Sequence, residues 1–361
     1  MVMSDLLETM IDDLRQLVES ESPSHDPQLL AKSAETVAAL MERCLGTRPT
    51  LVEGGAGPHV HWSGGGAPKV LILGHHDTVF PAGTLSQRPF TVENGRATGP
   101  GVFDMKAGIV QAVHAVASLG DRSGVEILLS CDEEIGSLTS RDLLEERALA
   151  CGTVLVLEPS GDGGALKTGR KGTGTFEVVI SGRAAHAGLE PHRGVNSLIE
   201  AAHQVLQIAS FADDLQGTTV TPTVAHAGTA DNVVPAETRV RVDVRVTSAE
   251  EAHRIETAFA GLTPVNPEAS IAVNGKVGRP PMPESASAEL MPLALAHDST
   301  IVGVAVGGGS DGNFTAARGV PTLDGLGAVG GGAHADHEYI EVDTMPGRAE
   351  LLAAIIQARM N

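Results

Sequence analysis

Positive charge is scarce in this chain: 25 Lys and Arg stand against 45 Asp and Glu, a net charge of −20 at pH 7. A surface of that sign repels a phosphate backbone, which argues against a nucleic-acid partner. Aromatic residues are as scarce, with one Trp, one Tyr and seven Phe, so there are few platforms on which bases could stack. A small anionic substrate is not attracted by the overall field and needs a local arginine. The three cysteines, Cys44, Cys131 and Cys151, form no CxxC pair. Their odd number argues against a disulfide framework and for reduced thiols in the cytoplasm. No apolar run is long enough to span a membrane. The N-terminal stretch MVMSDLLETMIDDLRQLVES is acidic, with Leu6, Met10, Ile11, Leu14 and Leu17 at helical spacing. It reads as an amphipathic helix, not as a signal peptide or a membrane anchor.

What is present is a regular alternation of apolar segments. Hydrophobic residues make up 42% of the 361 positions, enough for about two domains. KVLILG, GVEILLS and GTVLVLE read as buried strands, and MKAGIVQAVHAVASLG and TSRDLLEERALA as helices between them. That order predicts an α/β fold with a mostly parallel central sheet flanked by helices. Two seams rich in Gly, Pro and small polar residues, PSGDGGALKTGRKGTG and NGKVGRPPMPESASA, interrupt it. Between them lie strand, helix, strand, strand, helix and strand: an inserted α+β unit of four strands and two helices. The predicted division is residues 1–168 and 280–361 for one domain and 169–279 for the insertion. The α/β pattern then resumes and ends in a helix at TMPGRAELLAAIIQARM.

The strand ends carry the chemistry. The run LILGHHDTVFPAG closes an apolar strand with two histidines and an aspartate. Side chains alternate along a strand, so His75 and Asp77 share a side while His76 points away. An aspartate beside a histidine fixes its tautomer, as around a metal-bound imidazole. By itself the segment fits equally a hydrogen-bonded histidine at a strand end. Other strand ends add Asp104 after GPGVF, Glu133 and Glu134 in CDEE, Glu158 after GTVLVL, and His334 in GGGAHADHEYI. In open α/β sheets ligands bind beyond the carboxyl ends of the strands. Two histidines and three carboxylates suit zinc rather than calcium. Five ligands exceed one tetrahedral ion but serve two ions bridged by a carboxylate. Glu133, beside a ligand without needing to be one, suits a general base.

The sequence resembles a known family through a series of ordered motifs. GHHDTV, GPGVFDMKAG, DEEIGS, LEPS, SGRAAHAG, DNVVPAE, GGGSDG and GGAHADHEYI occur in the order seen in the co-catalytic zinc metallopeptidases. That family includes glutamate carboxypeptidase, aminoacylase, acetylornithine deacetylase and succinyl-diaminopimelate desuccinylase. The likeness covers nearly the whole chain and is greatest to the glutamate carboxypeptidase branch. It implies two zinc ions per chain, with cobalt or manganese as substitutes. His75, Asp104 and Glu158 would hold one, and His334, Asp104 and Glu134 the other, with Asp104 bridging. Asp77 would orient His75, and Glu133 would activate the attacking water. The insertion would be a lid and dimerisation domain whose His186 stabilises the transition state in the partner subunit of a homodimer. Asn232 and Arg279 would hold the substrate, Arg279 clamping its carboxylate. A cis peptide between Asp104 and Met105 is also implied. His337 reads as a surface residue, and GRKGTGT has no functional reading.

The expected activity is therefore cleavage of an amide next to a free carboxylate. Carboxypeptidase or dipeptidase action and N-acyl-amino-acid deacylation both satisfy it. Two other classes fit parts of the sequence. The segment GLGAVG, from Gly325 to Gly330, matches the dinucleotide fingerprint G-x-G-x-x-G, which would make the chain a nicotinamide-binding oxidoreductase. That motif requires a following helix, and GGAHADHEYI has no helical period. A non-catalytic binding protein on the same scaffold would be expected to lack ligands or Glu133, and all are present.

Overall fold

The strand Val70–His75 is the centre of the molecule's main sheet, and all six of its residues are buried. The computed structural model describes residues 3–360. In sheet order the strands are Thr50–Glu53, Pro58–Ser63, Val125–Ser130, Val70–His75, Val154–Val156 and Thr322–Leu323. Val70–His75 runs parallel to both neighbours, and Val154–Val156 runs parallel to Thr322–Leu323. Both faces of the sheet are covered, as parallel sheets require. Ile72 packs into a core with Met10, Val37, Met41, Val113 and Leu352. Leu71 and Leu73 face the opposite way, into a smaller cluster with Leu144, Ala148 and Phe314. The predicted helices form over Ala107–Ser118, Arg141–Cys151 and Met345–Met360. Asp26 caps the helix Pro27–Leu45 through the N–H groups of Gln28 and Leu29, and Gly46 closes it in the left-handed conformation.

The outer edge of the sheet differs from the expected pattern. Thr50–Glu53 and Pro58–Ser63 form an antiparallel hairpin, and Pro58–Ser63 pairs antiparallel with Val125–Ser130. His59 and His61 interrupt the apolar run of that strand, so its sequence gives little strand signal. The GLGAVG segment runs into the short strand Gly330–Gly331, not into a helix. A Cβ at Gly327 would run into the carbonyl oxygens of Leu157 and Glu158. Arg348 donates to the carbonyls of Gly325 and Gly327. These glycines let one backbone pass close to another, and the dinucleotide reading has no structural support.

The chain divides into two compact units. The first comprises 1–169, 284–306 and 310–361; the second comprises 170–283 with Gly307–Gly309. The second unit is a four-stranded antiparallel sheet in the order Thr219–Ala227, Glu237–Val246, Gly172–Ser181, Ser270–Arg279. Strict alternation puts Phe176, Val178 and Ile180 on one face with Val240, Val242, Val244 and Val246. The helices Ser197–Ala209 and Ala249–Ala260 close that face through Ala201, Ile208, Ile255 and Phe259. Phe176 stacks on Phe259 with centroids 4.0 Å apart. Each such side chain contributes about 1.5–3 kcal/mol on burial, so this unit has a core of its own.

Candidate metal centre

The parallel strands deliver their carboxyl ends side by side. His75 is the last residue of its strand and lies opposite Ser130, the last residue of the next. Glu133 and Glu134 follow Ser130 in a short turn, and Glu158 follows Val154–Val156 by two residues. Asp104 arrives on a loop that opens at Gly101, whose φ of 73° is left-handed. His334, also left-handed with φ of 64°, comes from the segment before the strand Tyr339–Glu341.

These elements bring the five predicted ligands into two triads with Asp104 in common. Asp104 Oδ1 lies 3.2 Å from His75 Nε2, and Glu158 Oε1 lies 3.7 Å from the same nitrogen. Asp104 Oδ2 lies 3.3 Å from His334 Nε2, and Glu134 Oε2 lies 3.1 Å from it. One carboxylate thus turns one oxygen to each triad. Within each triad the donor atoms lie within 4.8 Å of one another.

The electrostatics describe a site short of positive charge. Burial alone would raise the Asp104 carboxyl, yet His334 and His75 hold it well below the usual carboxylate range. His334 is pushed up to about 10 by Asp104 and Glu134. Glu134 is raised, chiefly by burial. Its Oε1 is buried without a hydrogen-bond partner. A buried carboxylate oxygen left unpartnered is costly, and a cation in the Glu134 triad removes that cost. The mixed imidazole and carboxylate donor set fits a pair of divalent ions of the zinc type.

Asp77 and nearby main-chain groups support the cluster. His75 Nδ1 lies 3.0 Å from the Asp77 main-chain carbonyl and 3.4 Å from Asp77 Oδ1, so the carbonyl is the closer partner. The Asp77 carboxylate accepts from Ser24 Oγ at 2.7 Å and from the N–H groups of Glu133 at 3.3 Å and Glu134 at 3.2 Å. Asp77 therefore joins the His75 strand to the turn that carries both glutamates. Glu133 is half-buried and belongs to neither triad. His76 faces away, with Nδ1 3.2 Å from Ser33 Oγ and Nε2 3.0 Å from the Pro58 carbonyl. The Asp104–Met105 peptide is cis. His337 is exposed.

The remaining predicted residues belong to the second unit. His186 and Asn232 meet there: the N–H of Ala187 donates to the Asn232 carbonyl at 2.9 Å. His186 is exposed, and its Nδ1 accepts from the N–H groups of Gly188 and Leu189 at 3.2 and 3.1 Å. An Nδ1 that accepts leaves the proton on Nε2. Arg279 ends its strand, largely buried, with its side chain against Gly309. Arg170, from the unread GRKGTGT segment, donates to the carbonyl of Gly308 at 3.1 Å.

One residue near the cluster escaped the sequence reading. Glu338 is fully buried and accepts from the N–H groups of Gly101, Phe103 and Asp104, each at 2.9 Å. Burial pushes its carboxyl up to about 7 against those three bonds. A signal existed: Glu338 has the same parity as Ile340, which lies in the core. Lys106 is buried as well and donates to the Ser20 carbonyl at 2.9 Å.

Known proteins resemble this chain over most of its length. Carboxypeptidase G2 of Pseudomonas sp. (strain RS-16) is 33% identical over 308 residues, covering 81% of this chain and 74% of that protein. A succinyl-diaminopimelate desuccinylase of Thioalkalivibrio sulfidiphilus is 27% identical over 325 residues, covering 81% and 84%. The fold is shared with aminopeptidase PepT from Bacillus cereus, with a TM-score of 0.77 at 21% identity over 98% of this chain and 99% of that one. It is shared too with an M20 family metallo-carboxypeptidase from Sulfolobus solfataricus, with a TM-score of 0.73 at 18% identity over 98% and 99%. Residues 71–358 match the model of peptidase family M20/M25/M40. That match runs from the second residue of the central strand into the last helix, and the chain belongs to this family of hydrolytic metallopeptidases.

Proposed function

We propose that this enzyme hydrolyses an amide bond next to a free carboxylate, as a carboxypeptidase or dipeptidase with two zinc ions per chain. The observation that carries the reading is the pair of triads sharing Asp104, with the acid Glu133 beside them and outside both. His75, Asp104 and Glu158 would hold one ion, and His334, Asp104 and Glu134 the other; cobalt or manganese could substitute. When bound, such a pair supplies Lewis acidity toward the scissile carbonyl and acidifies a water.

The chain's own groups do the rest. Glu133 takes the proton from the attacking water and hands it to the leaving nitrogen. Asp77 holds the Glu133–Glu134 turn through their two N–H groups and fixes the His75 ring, so base and ligands move as one piece. His186, its Nδ1 occupied by two main-chain N–H groups, offers Nε2–H to the developing oxyanion. Arg279 receives the substrate carboxylate, and Asn232 helps to hold the substrate.

The second unit, residues 169–279 by the sequence division, serves as lid and dimerisation domain, and its His186 acts in the partner subunit of a homodimer. Support comes from Leu198, Ile199 and Leu206, exposed on one helix, and from the outer strand Thr219–Ala227, which among the described residues is paired on one side only. The three free cysteines favour a reducing compartment, the cytoplasm. N-acyl-amino-acid deacylation is the second reading, favoured by the similarity to a desuccinylase. Dipeptides and N-acyl amino acids assayed with metal-free and zinc-loaded protein test both. Turnover of either class, dependent on metal, is expected; none with fully loaded protein overturns the reading.

A further inference from the structure

Among the described residues, two further groups outside the two triads bring His, Cys and Asp donor atoms within 4.8 Å of one another. The first is His59, Cys131 and Asp132, all buried. Its aspartate is already occupied. One oxygen accepts from the Thr139 N–H at 2.6 Å and Thr139 Oγ1 at 2.8 Å, and the other from Ser140 Oγ at 2.6 Å. The second group is Asp13, Cys44 and His114, which shares no residue with either triad.

Three helices of the first unit supply this second group. Asp13 lies on Met3–Glu19, Cys44 on Pro27–Leu45 and His114 on Ala107–Ser118. Asp13 is buried, and its neighbours on the same helix face, Met10 and Leu17, belong to the core. A carboxylate in that position needs partners. Its Oδ2 lies 2.8 Å from His114 Nε2, while Arg43, half exposed, pairs with Oδ1. Cys44 and His114 are partly exposed, so an ion can reach them from solvent.

A second observation points to a missing group. Gln111 precedes His114 by three residues and is fully buried, yet neither its Oε1 nor its Nε2 has a hydrogen-bond partner among the described residues. Residues three apart are neighbours on a helix surface. An orphaned amide beside His114 calls for a partner that the chain does not supply. Burial raises the Cys44 thiol, which argues against a free nucleophile there.

We propose that Asp13, Cys44 and His114 form a separate binding site for a thiophilic divalent ion of the zinc type. Asp13 Oδ2, Cys44 Sγ and an imidazole nitrogen of His114 supply three donors. A water on the ion completes the tetrahedron, and Gln111 is placed to hold it. Mixed sulfur, nitrogen and oxygen donors select zinc over magnesium or calcium. The ion replaces the thiol proton and the proton shared by His114 and Asp13, so binding releases protons. With three chain donors and the Arg43 charge nearby, this is the weaker site, filled after the dinuclear centre. Its occupancy ties three helices together and does not depend on the proposed reaction.

The test titrates cobalt(II) into metal-free, full-length protein under reducing conditions and follows near-ultraviolet absorption. The two triads offer only nitrogen and oxygen donors, so a thiolate-to-cobalt charge-transfer band reports a cysteine ligand. Wild-type protein should develop the band as the third equivalent binds, and zinc should erase it. Cys44→Ser should abolish the band. His114→Ala should weaken the cobalt binding that produces it by about tenfold or more, and it answers the question if Cys44→Ser fails to fold. Both variants should keep wild-type far-UV dichroism and bind the first two equivalents as before. Cys131→Ser should leave the band intact. No band in wild-type protein, a band kept in Cys44→Ser, wild-type affinity in His114→Ala, or a band lost in Cys131→Ser overturns the proposal.

Discussion

Glu338 Oε1 accepts the main-chain N–H of Asp104 at 2.9 Å, across 234 positions of sequence. The same oxygen takes the N–H of Phe103, and Oε2 takes that of Gly101. A fully buried carboxylate is tolerated only where such donors compensate it. In return it pins the loop that presents Asp104, the residue common to both triads. Glu338→Gln keeps the shape but turns an amide NH2 toward main-chain donors. Metal affinity should fall about 10–100-fold, measured by chelator competition, with circular dichroism unchanged. Glu338→Asp, one methylene shorter, should not restore it. Wild-type affinity in both variants would remove Glu338 from the support of the metal centre.

Adjacent glutamates should separate metal binding from proton transfer. Glu133→Ala should lower kcat about 10²–10⁴-fold with metal content near two ions per chain. Glu134→Ala removes a donor from the His334 triad and should lose metal. Elemental analysis of the two purified variants decides it. Equal metal loss in both would mean that Glu133 is a ligand.

Metal removal should silence the enzyme without unfolding it. The apolar clusters of each unit contain none of the five proposed ligands. Chelated protein should therefore keep its far-UV dichroism and lose activity. Its first unit should melt at lower temperature, because ions at 1,000 times their Kd stabilise the native state by about 4 kcal/mol. Loss of the secondary-structure signal on chelation would show that the ions organise the fold itself.

His76 gives the acid limb of stability a defined sign. Burial lowers it from 6.5 to about 4, so below pH 6.5 the unfolded chain binds a proton that the folded chain resists. Its contribution is present above pH 6.5 and is lost as pH falls toward 4. The full effect is about 3 kcal/mol, at 1.36 kcal/mol per unit. His76→Gln can still donate to the Pro58 carbonyl and has nothing to titrate. Urea unfolding should depend less on pH between 6.5 and 4 in this variant. Parallel slopes in the two proteins would show that other groups carry the acid limb.

The sequence displays most of this candidate site because its proposed ligands obey a positional rule. His75, Glu134 and Glu158 follow buried parallel strands, and strand ends can be read from apolar runs. The period of two also separated His75 from His76. Glu338 stayed hidden because its partners are main-chain N–H groups, and no residue type marks where those will be. The Arg170 bond to Gly308 is equally silent, since it joins two glycine-rich segments with no periodicity. The hairpin at 50–63 gives no strand signal because histidines stand where apolar residues would announce one. His186 and Asn232 were each visible in motifs, but their adjacency depends on a turn pairing that no spacing encodes.

The sharpest test concerns which subunit His186 serves. Its Nδ1 accepts two main-chain N–H groups, which leaves the proton on Nε2. An exposed histidine held in this way is a prepared donor, and the proposed dimer supplies the oxyanion in the partner's metal centre. Glu133→Ala and His186→Ala homodimers should each be nearly inactive. In a mixed dimer, one site unites intact Glu133 with the partner's intact His186, and the other site lacks both. Random association of equal amounts gives about half heterodimers, each with one good site in two. Co-refolding should therefore restore about a quarter of wild-type activity. The same mixture without refolding, held as separate homodimers, should restore none. No recovery in heterodimers verified by two affinity tags would mean that His186 works in its own chain or has no part in the reaction.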